Sequence, residues 1–214
     1  MKTLTLKVYP SEPDPHVVAR GAEIIRQGGI VAFPTETVYG LAADAFNPNA
    51  VLRVFEAKNR PVDNPLPVQI AAIHDISRLA RDVSQSAFAL MDAFFPGPLT
   101  IVLRAAPEVP EMITAGTGKI GIRMPNHPVA LALIRAAETP IVAPSANKSG
   151  QPPATTIQEV LDYFNGKIEL VLDAGPTVLK TASTVVDMTE ETPRILRIGS
   201  ISEGELLSVL TDLK

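Results

Sequence analysis

The chain has 214 residues, 46% of them hydrophobic, and a formal net charge of −4, enough to bury one substantial core within the usual size of a single domain. It contains no cysteine, which excludes disulfides, thiolate nucleophiles and Cys-ligated zinc and fits a reducing compartment. The negative balance argues against a uniformly basic nucleic-acid binder, so an anionic ligand needs a local cluster of cations.

The start, Met1 to Leu6, shows no apolar core followed by a small-residue cleavage site, and no stretch approaches the ~20 apolar residues that span a bilayer. A soluble cytoplasmic protein without a membrane partner is expected. Its 13 Gly and 20 Pro are spread along the chain with no linker tract, so one domain over residues 1–214 is expected. Asp14 and Pro15 supply a cap and a first helical position for a helix to about Gln27. Gly28-Gly29 stop it, and Ile30–Phe33 reads as a buried strand that Pro34 ends. Asn47-Pro48 repeats the device for a helix to about Lys58, with Pro61 barring much continuation. The pattern then predicts a strand at Leu66–Ile70, and further strands near 99–104, 120–124, 141–143, 170–173, 184–187 and 195–198. Helices are predicted near 84–94, 128–137 and 156–164, and Ser202 with Glu205 forms a capping box for a last one. Val, Ile and Leu runs alternating with helix-period segments are the mark of an α/β domain built on a twisted sheet.

Some motif-like signals lack the context that would give them meaning. Gly116-Thr117-Gly118-Lys119-Ile120-Gly121 has dinucleotide-type glycine spacing, yet it opens a strand instead of following one. It is not a Walker loop either, because Ile113 stands at the first glycine position and Ile120 follows Lys119. His16, His74 and His127 are too far apart in sequence for a helical ligand pair. Around Ser145 the glycines of a nucleophile elbow are missing.

Four polar segments sit beside strand or helix ends, where an open α/β sheet presents its loops to a shared crevice. These are Pro34-Thr35-Glu36-Thr37-Val38-Tyr39-Gly40-Leu41, Lys58-Asn59-Arg60-Pro61 with Asn64-Pro65-Leu66, Gly121-Ile122-Arg123-Met124-Pro125, and Pro144-Ser145-Ala146-Asn147-Lys148-Ser149-Gly150. Ser183-Thr184 and Arg197 add similar groups later. Each alone is explained by turn chemistry or helix-end charge; together they suggest one anion site.

In this order and spacing the segments resemble the YrdC/TsaC family of threonylcarbamoyl-AMP synthases, from about Ala22 to Gly199. The resemblance implies a twisted mixed parallel and antiparallel sheet flanked by helices, the YrdC-like (DHBP synthase-like) fold, with a large concave basic cavity for ATP and threonine. Carried over by position, it assigns ATP contacts to Lys58, Arg60, Ser145, Asn147, Ser183 and Arg197, and threonine-side contacts to Thr35, Thr117 and Arg123. Lys58 and Arg60 are the implied catalytic cations. This sequence departs from the family at Gln69, where many longer relatives have histidine, at Thr181-Ala182 and at Ile198. Longer relatives append a second domain, and the chain resembles the short type.

The implied reaction joins L-threonine, bicarbonate and ATP into threonylcarbamoyl-AMP, pyrophosphate and water, for modification of tRNA. Mg²⁺ would arrive with the nucleotide, without protein side-chain ligands, and a transferase would receive the product. The alternative is a family member that binds RNA or a nucleotide without making the adenylate.

Overall fold

The computed structural model describes residues 2–211. In chain order its elements are β1 (Leu4–Lys7), α1 (Pro15–Arg26), β2 (Val31–Phe33), β3 (Gly40–Asp44), α2 (Pro48–Lys58), β4 (Val68–Gln69), a 3-10 segment (Ile73–Arg78), β5 (Ala80–Arg81), α3 (Gln85–Phe94), β6 (Leu99–Ala105), α4 (Glu111–Thr114), β7 (Lys119–Arg123), α5 (Pro128–Ala137), β8 (Ile141–Val142), α6 (Ile157–Phe164), β9 (Leu170–Asp173), β10 (Thr184–Asp187), β11 (Arg194–Arg197) and α7 (Glu203–Thr211).

The helices start where the caps predict. The Asp14 side chain accepts from the His16 N–H at 2.8 Å, and the Asn47 side chain accepts from Asn49 and Ala50 at 3.1 and 3.2 Å, which satisfies amides that a helix leaves unpaired. The expected box at the last helix forms, with Glu205 Oε2 2.8 Å from the Ser202 N–H. At its other end α2 stops on Asn59 in the left-handed conformation, φ 50° and ψ 43°. That reversal sends Lys58 and Arg60 in different directions.

All strands join one mixed sheet in the order β1-β9-β2-β3-β8-β4-β7-β6-β10-β11, with β5 paired to β6. β1 and β2 run parallel to β9, β4 parallel to β7 and β6 parallel to β10, while the remaining pairs are antiparallel. The architecture matches the mixed sheet with flanking helices implied by the resemblance.

Side-chain alternation assigns the two faces. Val31, Phe33, Ala42, Ile141, Leu170 and Leu172 pack with Ala22 and Ile25 of α1 and Val129 and Leu133 of α5. Ala32, Leu41, Ala43, Val142 and Val171 point the other way into the larger core, with Val54 of α2, Leu90 of α3, Val160 of α6 and Leu206 of α7. The register carries each face across the sheet: Gln69 lies opposite Ile141 and Arg123, and Ile122 opposite Ile101. The face that α1 and α5 cover at one end therefore continues through Gln69, Arg123 and Thr100 at the other. There it is not filled by those helices, and a concavity is left.

Candidate functional site

That uncovered half of the sheet is the floor of a cavity of about 490 Å³. Gln69, Thr100, Val102, Gly121, Arg123, Val185 and Asp187 line it from the strands, and the loops around 35–40, 60–67, 143–145 and 182–183 form its walls. Parallel and antiparallel strand ends meet here, so loops from distant parts of the sequence converge.

Arg123 is the most constrained cation. It is only 5% exposed, its Nε donates to the Gly97 carbonyl at 3.0 Å and its Nη1 to Thr37 Oγ1 at 2.9 Å. Nη2 lies 2.7 Å from Glu36 Oε1, but the N–H is not aimed along that line, so neither Nη2 nor the two Glu36 oxygens has a hydrogen bond. The contact is an ion pair without good alignment. Thr35 shapes the loop that brings Glu36 and Thr37 here: its hydroxyl donates to the Val38 carbonyl at 2.6 Å and accepts from the Thr37 and Val38 amides.

Arg197 is pinned by Ser183, with Nε and Nη2 donating to its carbonyl at 3.0 and 2.8 Å and Nη2 to its hydroxyl at 3.2 Å. Burial lowers the Arg197 pKa, and repulsion from Arg123 adds to it. Arg60 is fixed by its own loop, donating to the Asn64 carbonyl at 3.1 Å, to Asn64 Oδ1 at 2.6 Å and to the Pro65 carbonyl at 2.8 Å. Burial lowers its pKa as well. Lys119 pairs with Asp187 at 2.9 Å. Burial pushes the Asp187 carboxyl up, yet hydrogen bonds from Thr189 and Lys119 outweigh it and keep the group below its usual value. With Lys119 and Arg123 compensated, the uncompensated positive charge in the cavity belongs to Arg60 and Arg197.

Of the nine residues assigned from the resemblance, Thr35, Arg60, Thr117, Arg123, Ser145, Ser183 and Arg197 line this one cavity. Lys58 and Asn147 do not. Lys58 is 1% exposed, and its Nζ donates to the carbonyls of Ser145 and Asn147 at 2.5 and 2.7 Å from behind the loop. Burial, with repulsion from Arg60 and Lys148, pulls its pKa down to about 7. Asn147 closes the same loop, accepting from Ser145 Oγ at 2.6 Å and donating to the carbonyls of Lys148 and Gln151. The pair acts as a brace that holds Ser145 at the wall.

The sequence reading passed over Thr100, which shares a 2.8 Å hydrogen bond with Ser183, and the Lys119–Asp187 pair. The signal for Thr100 is a lone hydroxyl in the otherwise apolar run Leu99–Leu103, on the alternate face from Leu99 and Ile101.

Gly199 is required for this geometry. A Cβ there would stand 2.1 Å from the Ala182 carbonyl oxygen and 2.6 Å from the Ser183 carbonyl carbon, both backbone atoms of the segment that holds Arg197. Gly199→Ala is expected to destabilise the fold by about 1–3 kcal/mol, the range for forced overpacking. Urea denaturation measures it, and an unchanged midpoint would show that the Ser183 backbone yields freely.

The Sua5, YciO and YrdC family model, described as Telomere recombination, matches residues 23–199. A threonylcarbamoyl-AMP synthase of Pyrococcus abyssi is 47% identical over 193 residues, covering 90% of this chain and 57% of that protein. Its counterpart in Bacillus subtilis is 44% identical over 201 residues, covering 94% and 58%. The crystal structure of P. abyssi Sua5 complexed with L-threonine superposes with a TM-score of 0.95 at 45% identity, covering 97% of this chain and 61% of that one. This chain thus spans less than two thirds of the length of these relatives. Among the described residues no helix is long and apolar enough to cross a membrane. A match over most of the sequence and nearly the whole backbone places the chain in the Sua5/YciO/YrdC family.

Proposed function

We propose that the chain condenses L-threonine, bicarbonate and ATP into threonylcarbamoyl-AMP, pyrophosphate and water. The observation that carries the reading is one cavity joining Arg60, Arg123 and Arg197 to the hydroxyl-bearing Thr35, Thr117, Ser145 and Ser183, in a chain whose relatives are named for that reaction.

The chemistry asks for what such a cavity supplies. The threonine nitrogen bonds to the carbon of bicarbonate-derived CO2 and loses a proton, giving a carbamate. A carbamate oxygen then attacks the α-phosphorus, and the bond to pyrophosphate breaks. Both partners are anionic, so cations must hold them together; Arg60 and Arg197 carry the uncompensated charge for this. Charge-assisted hydrogen bonds contribute about 1.5–3 kcal/mol each, whereas alignment of two bound reactants lowers the barrier by about 7–11 kcal/mol. Positioning therefore dominates, and no side chain needs to act as a nucleophile. Mg²⁺ would come with ATP as its counterion: among the described residues Asp187 is the one carboxylate lining the cavity, and its oxygens are already engaged by Lys119 and Thr189. The product would pass to a transferase that modifies tRNA.

Pyrophosphate release from ATP is expected to require both threonine and bicarbonate. Release that persists when threonine is omitted would defeat the proposal. Salt-sensitive RNA binding without ATP consumption would favour a binding module instead.

A further inference from the structure

Behind the loop that walls the cavity three lysines cluster, and none of them lines the cavity itself. Lys58 ends α2, Lys148 follows Asn147 in the loop, and Lys167 stands just past α6. The loop is tied to the helix end: the Ser149 N–H donates to the Lys58 carbonyl at 2.9 Å, and Lys148 Nζ donates to the Ala57 carbonyl. Lys148 Nζ also stands 5.0 Å from the centre of the Phe164 ring. Among the described residues none of the three lysines forms a salt bridge.

Like charges held together without a carboxylate must find an anion or give up a proton. The carbonyl end of α2 and the face of Phe164 attract cations, but they bring no negative charge to separate them. Burial and repulsion from Lys167 draw Lys148 down to about 8, and Lys148 in turn repels Lys58. Near pH 8 about half of Lys148 is then free amine, roughly a hundredfold more than an ordinary lysine offers.

A free amine adds to CO2. The nitrogen lone pair forms a bond to carbon, one C=O electron pair moves onto oxygen, and the nitrogen releases a proton to solvent, leaving an N-carboxylysine. That product is an anion, so Lys148 changes from one of three repelling cations into the counterion of the other two. Its nitrogen keeps one N–H, enough to hold the Ala57 carbonyl.

We infer that Lys148 is a carboxylation site, which takes up CO2 reversibly as a carbamate whose charge Lys58 and Lys167 balance. Acylation by an uncharged group would remove one cation without supplying the missing anion, so the cluster favours CO2. The carbamate would keep Lys58 protonated on the carbonyls of Ser145 and Asn147, to which it already donates, and so links CO2 to the cavity wall.

The test needs neither ATP nor threonine. The full chain is equilibrated near pH 8 with isotopically labelled bicarbonate, carbamates are fixed by O-ethylation with triethyloxonium ion, and the peptides are mapped by mass. Lys148 is expected to carry at least about tenfold more adduct than the exposed Lys7 and Lys180, in line with its larger share of free amine. Lys167→Gln removes both a source of repulsion and a counterion for the carbamate, and is expected to lower the Lys148 adduct severalfold. Adduct spread evenly over the exposed lysines, or confined to the amino terminus, would overturn the inference, and so would a Lys148 adduct that Lys167→Gln leaves unchanged. The first comparison is made within the unaltered chain and without nucleotide, so it is decided whether or not the variant folds and whether or not pyrophosphate release depends on threonine.

Discussion

Arg123→Met is expected to lower folding stability by roughly 3–5 kcal/mol, the cost of stranding one partner of a buried ion pair, and to abolish threonine-dependent turnover. The side chains of Arg123 and Glu36 are only 7% and 11% exposed, so water cannot take over solvation of the carboxylate once the guanidinium is gone. The same change frees the Gly97 carbonyl and Thr37 Oγ1, which Arg123 now engages, and loosens the loop that carries Thr35. Two effects are thereby mixed in one variant, and a second variant separates them. Glu36→Gln combined with Arg123→Met removes the stranded charge, so urea denaturation is expected to recover most of the stability while pyrophosphate release stays absent. If Arg123→Met alone unfolds at the same urea concentration as the unaltered chain, the pair contributes nothing to the fold and its place in the site needs another explanation.

Much of this arrangement was legible in the sequence where the signal is local. Pro128 opens α5, which ends at Ala137, and β9 and β10 occupy Leu170–Asp173 and Thr184–Asp187, the bounds their apolar runs predict. The strand expected over 66–70 shrinks to Val68–Gln69, because Pro65 and Pro67 bring no amide hydrogen to a ladder. β3 carried no readable signal: Gly40, Leu41, Ala42, Ala43 and Asp44 alternate in neither size nor polarity, and pairing with β2 and β8 makes the strand. Seven site residues could be grouped because their motifs fall at strand ends that the fold gathers on one face. Lys58 could not be placed this way. Lys58-Asn59-Arg60 reads as two cations leaving one helix end; Asn59 is a residue type that favours the left-handed turn at a helix C-terminus, but that turn alone does not say which of the two cations it aims into the cavity. Lys119 and Asp187 are 68 residues apart, and nothing short of the sheet order brings them together.

Lys58 gives the second large expectation, a stability that climbs with pH. In the unfolded chain a lysine stays protonated to about 10.4, whereas burial brings folded Lys58 down to about 7. Between those values the unfolded state holds one more proton than the folded state, so unfolding becomes harder as pH rises, by up to ~1.4 kcal/mol per pH unit from this group. Below about 7 both states are protonated and the full burial penalty is present. Lys148, drawn down to about 8 chiefly by burial, acts in the same direction, and Tyr39, raised by burial to about 12, acts oppositely above the ordinary phenol range. Comparison with Lys58→Met cancels the Tyr39 contribution, and it cancels the part of the Lys148 shift that comes from burial and Lys167, leaving only the mutual repulsion of the two lysines in the difference. The methionine variant cannot donate to the Ser145 and Asn147 carbonyls, which costs about 1–3 kcal/mol for each acceptor left dry, but it carries no ammonium to desolvate. Its deficit against the unaltered chain should therefore be small near pH 6 and grow by several kcal/mol toward pH 10. Urea denaturation of both proteins at intervals across that range decides it: parallel curves would mean that Lys58 keeps its proton in the folded state and braces the Ser145 loop as a charge, not as an amine.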